Sequence, residues 1–429
     1  MTLKAFVTKL IPPFLLKIYH YKMALLTAIL FWFPSKDLTV IGVTGTSGKS
    51  TAVDFITRIL EESGHKVASV SSIRFRIGEK EWKNELKMTM PGCFKLQKFL
   101  KQAKKSQCKY VVLEVTSQGI LQYRHKFINF KTAVFTNLSK EHIEAHGGFE
   151  NYRKAKLKLF KATRNTHIIN LDDSNSEYFL KFNSKEKWGY GSQNSDFQLP
   201  SPNLKTVFAD NVLESEKGLK FFIKGTEFNL NLLGKFNVYN ALAAVCVGLS
   251  EGVSLDICKR ALEKAKGIAG RMEVVVKTPF TVIVDYAHTP EQLESVYKSL
   301  QEKPLICVLG SCGGGRDKWK RPVLGKIAKD YCKEVIITNE DPYDEDPMKI
   351  IEDVAKGTDG RAQKILDRRE AIRKALKLST PYDIVIITGK GSEPWMCLKN
   401  DKKIPWDDRQ IAREELIKIE RQTSGRVDL

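Results

Sequence analysis

Five residues, Thr39 to Val43 ("TVIGV"), form an apolar run that ends in a glycine-rich bend. From about Ser50 to Glu62 the apolar positions then recur three and four apart before Ser63 and Gly64. This pattern predicts a buried strand, a tight turn and an amphipathic helix stopped by glycine. Further buried-strand runs, "YVVLEV" (110–115) and "TAVFTNL" (132–138), are each followed by helical spacing. Alternation of this kind predicts an α/β domain with a parallel sheet covered by helices on both faces. Between 187 and 233 the pattern changes. "LKFFIKGTEFNLNL" alternates and turns at Lys224 and Gly225, as an antiparallel hairpin does, so a small antiparallel sheet appended to the first domain is expected. A second α/β series follows Gly270, with strands in "FTVIVDYAH" (280–288), "PLICVLG" (304–310), "EVIITN" (334–339) and "YDIVIITG" (382–389). It predicts a Rossmann-like domain whose site lies at the carboxyl ends of the strands. The expected division is a short apolar and basic segment (1–37), a central domain (38–269) and a C-terminal domain (270–429).

The N-terminal segment contains "MALLTAILFWFP", Met23 to Pro34, preceded by Lys4, Lys9, Lys17 and Lys22. It falls short of the roughly 18 to 20 apolar residues that span a bilayer, and no small-residue cleavage site follows it. Two readings stand: a helix packed on the first domain, or a peripheral membrane contact of residues 1–36 with anionic lipid. The net charge of +20 is spread over the whole chain. With no basic stretch interleaved with aromatics, it predicts a lysine-rich exterior and no nucleic-acid partner. Eight cysteines without CxxC spacing predict reduced thiols in a cytoplasmic protein.

Candidate chemistry starts at the bend. Gly45, Thr46, Ser47, Gly48, Lys49, Ser50 and Thr51 have the make-up of a phosphate-binding loop. Glycines let backbone N–H groups converge on an anion at the helix N-terminus, Lys49 meets the β and γ phosphates, and Ser50 can bind Mg²⁺. The general pattern has a further glycine where this chain has Val43. Glu114 ends a buried strand, where a hard carboxylate oxygen could bind a second Mg²⁺, and His142 follows an apolar strand and a short loop.

The variant loop "TGTSGKS" resembles that of the Mur ligase family, the ATP-dependent ligases that add amino acids to peptidoglycan precursors. Further family landmarks follow in order: "EVTSQGILQYR" from Glu114, "FTNLSKEHIEAHG" from Phe135, "NYRKAKLKLF" from Asn151 and "GKFNVYNALAA" from Gly234. After them come "AGRMEVV" from Ala269, "DYAHTPEQL" from Asp285, "GGGRDKWKRPVLG" from Gly313 and "GKGSEPW" from Gly389. The resemblance spans about residues 38 to 400 and is nearest to the branch that adds the third residue of the stem peptide. It implies ATP and two Mg²⁺ ions, with Ser50, Glu114, His142 and a carbamylated Lys156 as metal ligands. It also implies catalytic roles for Lys49, Lys156 and His288 and nucleotide contacts from Asn240 and Arg271. Thr89, Thr116, Gln122 and Arg124 match acceptor contacts, and Arg316, Asp341, Gly389 and Glu393 match contacts to the incoming amino acid. The implied reaction makes an acyl phosphate from the acceptor carboxylate and displaces phosphate with an amine, domain closure assembling the site.

Several positions depart from the family pattern. Fewer than 40 residues precede the loop strand, where members that take UDP-linked acceptors carry a uridine-binding domain, so a lipid-linked acceptor is an alternative. Members that add diaminopimelate carry "DNPR", and this chain has "EDPY" at 340–343. A phenol cannot replace a bidentate guanidinium, and Glu340 and Asp341 add negative charge, which favours lysine or another amine-ended residue. Gln118 and Ser392 stand where histidines are frequent. Folylpolyglutamate and cyanophycin synthetases share the two ATP-site domains, and a nucleotide-binding membrane-associated regulator without catalysis is a reading of a different class.

Overall fold

The computed structural model describes residues 12–86, 88–192 and 203–424. Lys4 and Lys9 of the N-terminal segment lie outside them. The chain divides into two compact units, Met1–Ser139 with Gly148–Lys266, and Lys140–Gly147 with Gly267–Leu429.

The first unit opens with helix α1 (Pro13–Leu30), which has proline at its first turn, where a missing N–H costs nothing. Strand β1 (Thr39–Thr44) leads through the glycine bend into α2 (Lys49–Glu62), which ends at Ser63 and Gly64. Strands β2 (Val67–Val70), β3 (Arg74–Ile77) and β4 (Lys80–Lys83) form one edge, and helix α3 (Cys93–Lys105) follows. Then come β5 (Tyr110–Glu114), α4 (Ser117–Leu121), β6 (Phe130–Phe135), α5 (Phe149–Ala162) and β7 (Thr166–Asn170). Strands β8 (Glu186–Ser192), β9 (Leu204–Ser215), β10 (Gly218–Ile223) and β11 (Thr226–Leu230) precede α6 (Phe236–Ser250).

These strands make one sheet in the order β11-β10-β9-β8-β7-β6-β1-β5-β2-β3-β4. β1 lies between β5 and β6, parallel to both, so the glycine bend, Glu114 and the end of β6 emerge together at the carboxyl edge. The antiparallel strands expected between 187 and 233 are present and continuous with the parallel sheet, because β9 pairs parallel with β8 and antiparallel with β10. Lys224 and Gly225 both have positive φ, as a tight two-residue hairpin turn requires. Two apolar cores cover the sheet. One holds Phe55, Ile56 and Ile59 of α2 against Val238, Ala241 and Val245 of α6, and the other holds Leu96 and Leu100 of α3 with Leu159 of α5.

In the second unit β12 (Glu273–Val276), β13 (Thr281–Val284), β14 (Leu305–Leu309), β15 (Glu334–Thr338), β16 (Gln363–Ile365) and β17 (Ile384–Ile387) form a sheet ordered β12-β13-β17-β14-β15-β16. All its pairings are parallel except that of β12. Segment Lys140–Gly147 is tied to this unit. The Asp317 carboxylate accepts from the N–H groups of Ile143 (3.2 Å) and Glu144 (3.0 Å), and Glu141 and Lys320 form a buried ion pair at 3.1 Å.

Among the described residues no helix is long and apolar enough to cross a membrane, and the cysteines are free thiols.

Candidate active site

The bend after β1 is shaped by close contacts. Gly48 has φ +76°, and a Cβ there would come within 2.2 Å of Asn240 Oδ1, so only glycine lets α6 lie under the loop. Asn240 is in turn held by its Nδ2 donating to Asn237 Oδ1 at 3.1 Å. From the end of β6, Asn137 Oδ1 accepts from both Ser47 N (2.9 Å) and Ser47 Oγ (3.0 Å), and its carbonyl accepts from Thr46 N at 2.8 Å. Thr46 Oγ1 also lies 3.0 Å from the Tyr152 hydroxyl. The loop is thus pinned from two sides, while the first-turn amides of α2, which have no intrahelical acceptors, end at it.

Five side chains converge on this turn. Ser50 Oγ donates to Glu114 Oε2 at 2.8 Å, and Ser72 N donates to the same oxygen at 3.0 Å. Ser50 and Ser72 hydroxyls are 2.7 Å apart. Lys49 Nζ donates to Thr46 O at 2.8 Å and lies 3.9 Å from Glu114 Oε1. Lys156, only 2% exposed, donates from Nζ to Gly45 O at 2.6 Å and sits 4.6 Å from the centre of the Tyr152 ring. Burial, reinforced by the Lys49 charge and opposed by Glu114, holds its amine well below the usual lysine range. Among the described residues no three His, Cys, Asp or Glu side chains form a metal cage. The hydroxyl and carboxylate oxygens of Ser50, Ser72 and Glu114 fit Mg²⁺, which usually takes one or two protein ligands and completes its shell with phosphate oxygens and water.

The four residues matched to acceptor contacts lie around one turn of the same unit. Thr116 caps α4 by accepting from Gly119 N at 3.1 Å. Arg124 donates to Gln122 Oε1 and to the carbonyl of Met90, next to Thr89.

In the second unit His142, with φ +56°, has its Nδ1 3.3 Å from Arg316 Nη1. Its packing groups it with Arg316 and Asp317, whereas Glu114 belongs to the first unit. Arg271 stacks its guanidinium 4.0 Å over the Tyr286 ring. His288 Nδ1 lies 2.8 Å from Tyr286 O. A carbonyl only accepts, so Nδ1 carries the proton and Nε2 is the acceptor nitrogen. Burial, with the Lys320 charge adding to it, pushes His288 well below the usual histidine range, so the ring is neutral at pH 7.

Asp341 and Glu393 are bridged by the buried Lys390, whose Nζ donates to them at 2.9 and 2.8 Å, and the Tyr286 hydroxyl donates to Glu393 at 3.2 Å. Glu340 lies beside them. A Cβ on Gly389, where φ is +106°, would come within 2.0 Å of Glu340 Oε2. That oxygen is buried without a hydrogen-bond partner. Burial pushes the Glu340 carboxyl up to about 7, against the pull of Arg368 and Lys390. Ser72, Asn137 and Tyr152 are site residues that the sequence reading missed. Asn137 alone carried a signal, as a polar residue two positions beyond the end of an apolar strand.

A phosphate-binding loop with a carboxylate at its helix start, and a second parallel sheet bearing buried charge at its strand ends, define a nucleotide-dependent enzyme of two α/β units. The family profile described as Mur ligase middle domain matches residues 43–248, and that described as Mur ligase, glutamate ligase domain matches residues 270–391. The chain is 38% identical over 414 residues to the UDP-N-acetylmuramoyl-L-alanyl-D-glutamate--2,6-diaminopimelate ligase of Syntrophomonas wolfei, covering 92% of this chain and 81% of that protein. It is 35% identical to the UDP-N-acetylmuramyl-tripeptide synthetase of a Roseiflexus species, covering 92% and 82%. A solved structure of a UDP-N-acetylmuramoyl-L-alanyl-D-glutamate--2,6-diaminopimelate ligase aligns with a TM-score of 0.60 at 29% identity, over 89% of this chain and 79% of that one. A folylpolyglutamate synthase of Mycobacterium tuberculosis aligns at 0.68 and 18% identity, over 88% and 92%, a likeness of fold alone. The chain belongs to the Mur ligase family, whose members are ATP-dependent, ADP-forming amide ligases that use Mg²⁺.

Proposed function

We propose that the chain adds an amine-ended amino acid as the third residue of a muramyl-dipeptide acceptor. The observation that carries the reaction type is the convergence of Lys49, Ser50, Glu114 and Lys156 on one turn. The acceptor carboxylate attacks the γ-phosphorus of ATP, the bond to the β–γ bridging oxygen breaks, and ADP leaves. The amine then attacks the acyl carbon, the acyl C–O bond breaks, and phosphate leaves as the nitrogen gives up a proton. Lys49 neutralises charge on the transferred oxygens, and the loop amides fix the phosphates. Two Mg²⁺ ions, held on Ser50 and Glu114, would supply further charge neutralisation. Lys156 has the unprotonated amine that adds CO₂ to give a carbamate and a proton, which turns a buried neutral group into an anion near Glu114. The names of the relatives support the acceptor.

The side chain of the amino acid follows from Glu340. A buried carboxyl with an unpartnered oxygen and a raised pKa is a ready counter-charge for a terminal ammonium, and Tyr343 cannot hold a distal carboxylate as a guanidinium would. Diaminopimelate, for which several relatives are named, carries the same ammonium with an added carboxylate. Phosphate release with UDP-linked muramyl dipeptide and an amino-acid panel separates the two. Lysine or ornithine is expected to turn over at lower KM than diaminopimelate, and a preference for diaminopimelate would overturn this choice. Glu340 is protonated below its folded pKa, so KM for the preferred amino acid is expected to fall as pH rises from 6 to 8. Glu340→Gln should flatten that profile and raise KM by about 10- to 100-fold, the worth of one charge-assisted hydrogen bond. The sign for stability is the reverse. A carboxyl raised by burial favours the fold most at low pH, and this contribution is lost as pH rises through about 7.

A further inference from the structure

Helix α1 is apolar on two opposite faces. Ala24, Thr27 and Ala28 are buried, and the small side chains let the helix lie close on α3, with Phe31 edge-on to Phe94 at 5.2 Å. The other face carries Phe14, Ile18, Leu26, Ile29 and Leu30, all between 46% and 60% exposed, and Trp32 just beyond the helix is 84% exposed. Positions 14, 18, 22, 26 and 29 fall on one stripe of the helix, apolar except at Lys22, with the exposed Leu15 and Leu30 alongside. A surface helix normally turns charge outward, and a contiguous exposed apolar face marks a contact surface.

The charges on this face select its occupant. Residues 1–36 contain five lysines and no aspartate or glutamate, and the exposed Lys22 lies inside the apolar stripe with the exposed Lys17 nearby. In a symmetric contact between two copies, each lysine would meet the same acid-free surface, leaving like charges desolvated without a partner. At a lipid surface the same lysines extend to anionic headgroups while the apolar side chains enter the acyl boundary, and Trp32 suits the layer between.

We propose that the outer face of α1 docks on the surface of an anionic lipid bilayer. The helix also packs against the acceptor turn, with Tyr21 edge-on to Tyr123 at 5.7 Å and to Phe127 at 5.4 Å, next to Gln122 and Arg124. Docking therefore sets the acceptor residues beside the membrane, a consequence that rests on the acceptor assignment above, whereas the docking itself does not.

The test is flotation of the full chain with vesicles of phosphatidylcholine, alone or mixed with phosphatidylglycerol. The chain is expected to float with the mixed vesicles, about tenfold less with phosphatidylcholine alone, and less as salt rises. Leu26→Glu with Ile29→Glu, both at exposed positions, should abolish flotation while melting temperature and phosphate release in solution stay unchanged. Lys17→Glu with Lys22→Glu should weaken flotation only on the anionic vesicles. A chain that stays at the bottom with every vesicle, or glutamate variants that float as well as the parent, would overturn the proposal. So would self-association abolished by the same variants. Flotation is scored without turnover, so a chain that turns over but does not float removes the docking alone, and one that floats without turnover removes the functional reading alone.

Discussion

Lys49→Ala is expected to lower kcat for phosphate release by about 10²- to 10³-fold, the usual cost of removing one preorganised group that faces developing charge. The lysine is already placed at the loop, donating to Thr46 O and 3.9 Å from Glu114 Oε1, so it does not have to be recruited when nucleotide binds. Its loss removes a cation from the glycine loop and leaves the Glu114 carboxylate less neutralised. Steady-state kinetics with saturating ATP separates this effect from weak binding. A fall confined to KM for ATP, with kcat intact, would mean that Lys49 anchors nucleotide without assisting transfer.

Lys156→Ala is expected to cost a comparable factor, about 10²-fold or more, for a different reason. The parent amine is fully buried, shares its surroundings with Lys49, and is held well below the usual lysine range by burial. An unprotonated amine there serves no electrostatic purpose toward phosphates, but it is the form that reacts with CO₂. Two outcomes follow from the carbamate reading. Parent activity should fall when bicarbonate and CO₂ are stripped from the buffer, and the alanine variant should regain part of its activity with a short-chain carboxylic acid, which returns an anion to the vacated space. Full activity of the variant without any added acid would remove the carbamate from the account.

Much of the fold was legible because the apolar runs are long and their period unambiguous. β1, β5, β13, β14, β15 and β17 lie in continuous apolar segments, and the loop after β1 follows from glycine and lysine at fixed spacing. The edge strand β4 and its neighbour β3 were not legible. "RFRIGEKEWK" is charge-rich with no sustained apolar alternation, because β4 is exposed throughout. Helix α1 begins at Pro13, ten residues before the uncharged stretch that marked it, since lysines on its exposed side break the apolar run without breaking the helix.

At the site, residue types were readable and partnerships were not. Asn137 reaches Ser47 across 90 positions of sequence, and Ser72 meets Glu114 across 42, because strand order rather than chain order makes them neighbours. Nothing in the sequence around His142 showed that Asp317 and Lys320, more than 170 positions on, would anchor its segment. Glu340 was visible as added negative charge, but its burial against Gly389 depends on the juxtaposition of β15 and β17 ends.

In the proposed reaction the acceptor carboxylate, and not water, receives the γ-phosphoryl group. The direct measurement uses a muramyl dipeptide labelled with ¹⁸O in the reacting carboxylate, with mass analysis of the phosphate released during amide formation. One labelled oxygen is expected to pass from acceptor to each phosphate. Phosphate formed without label, while amide product accumulates, would contradict it.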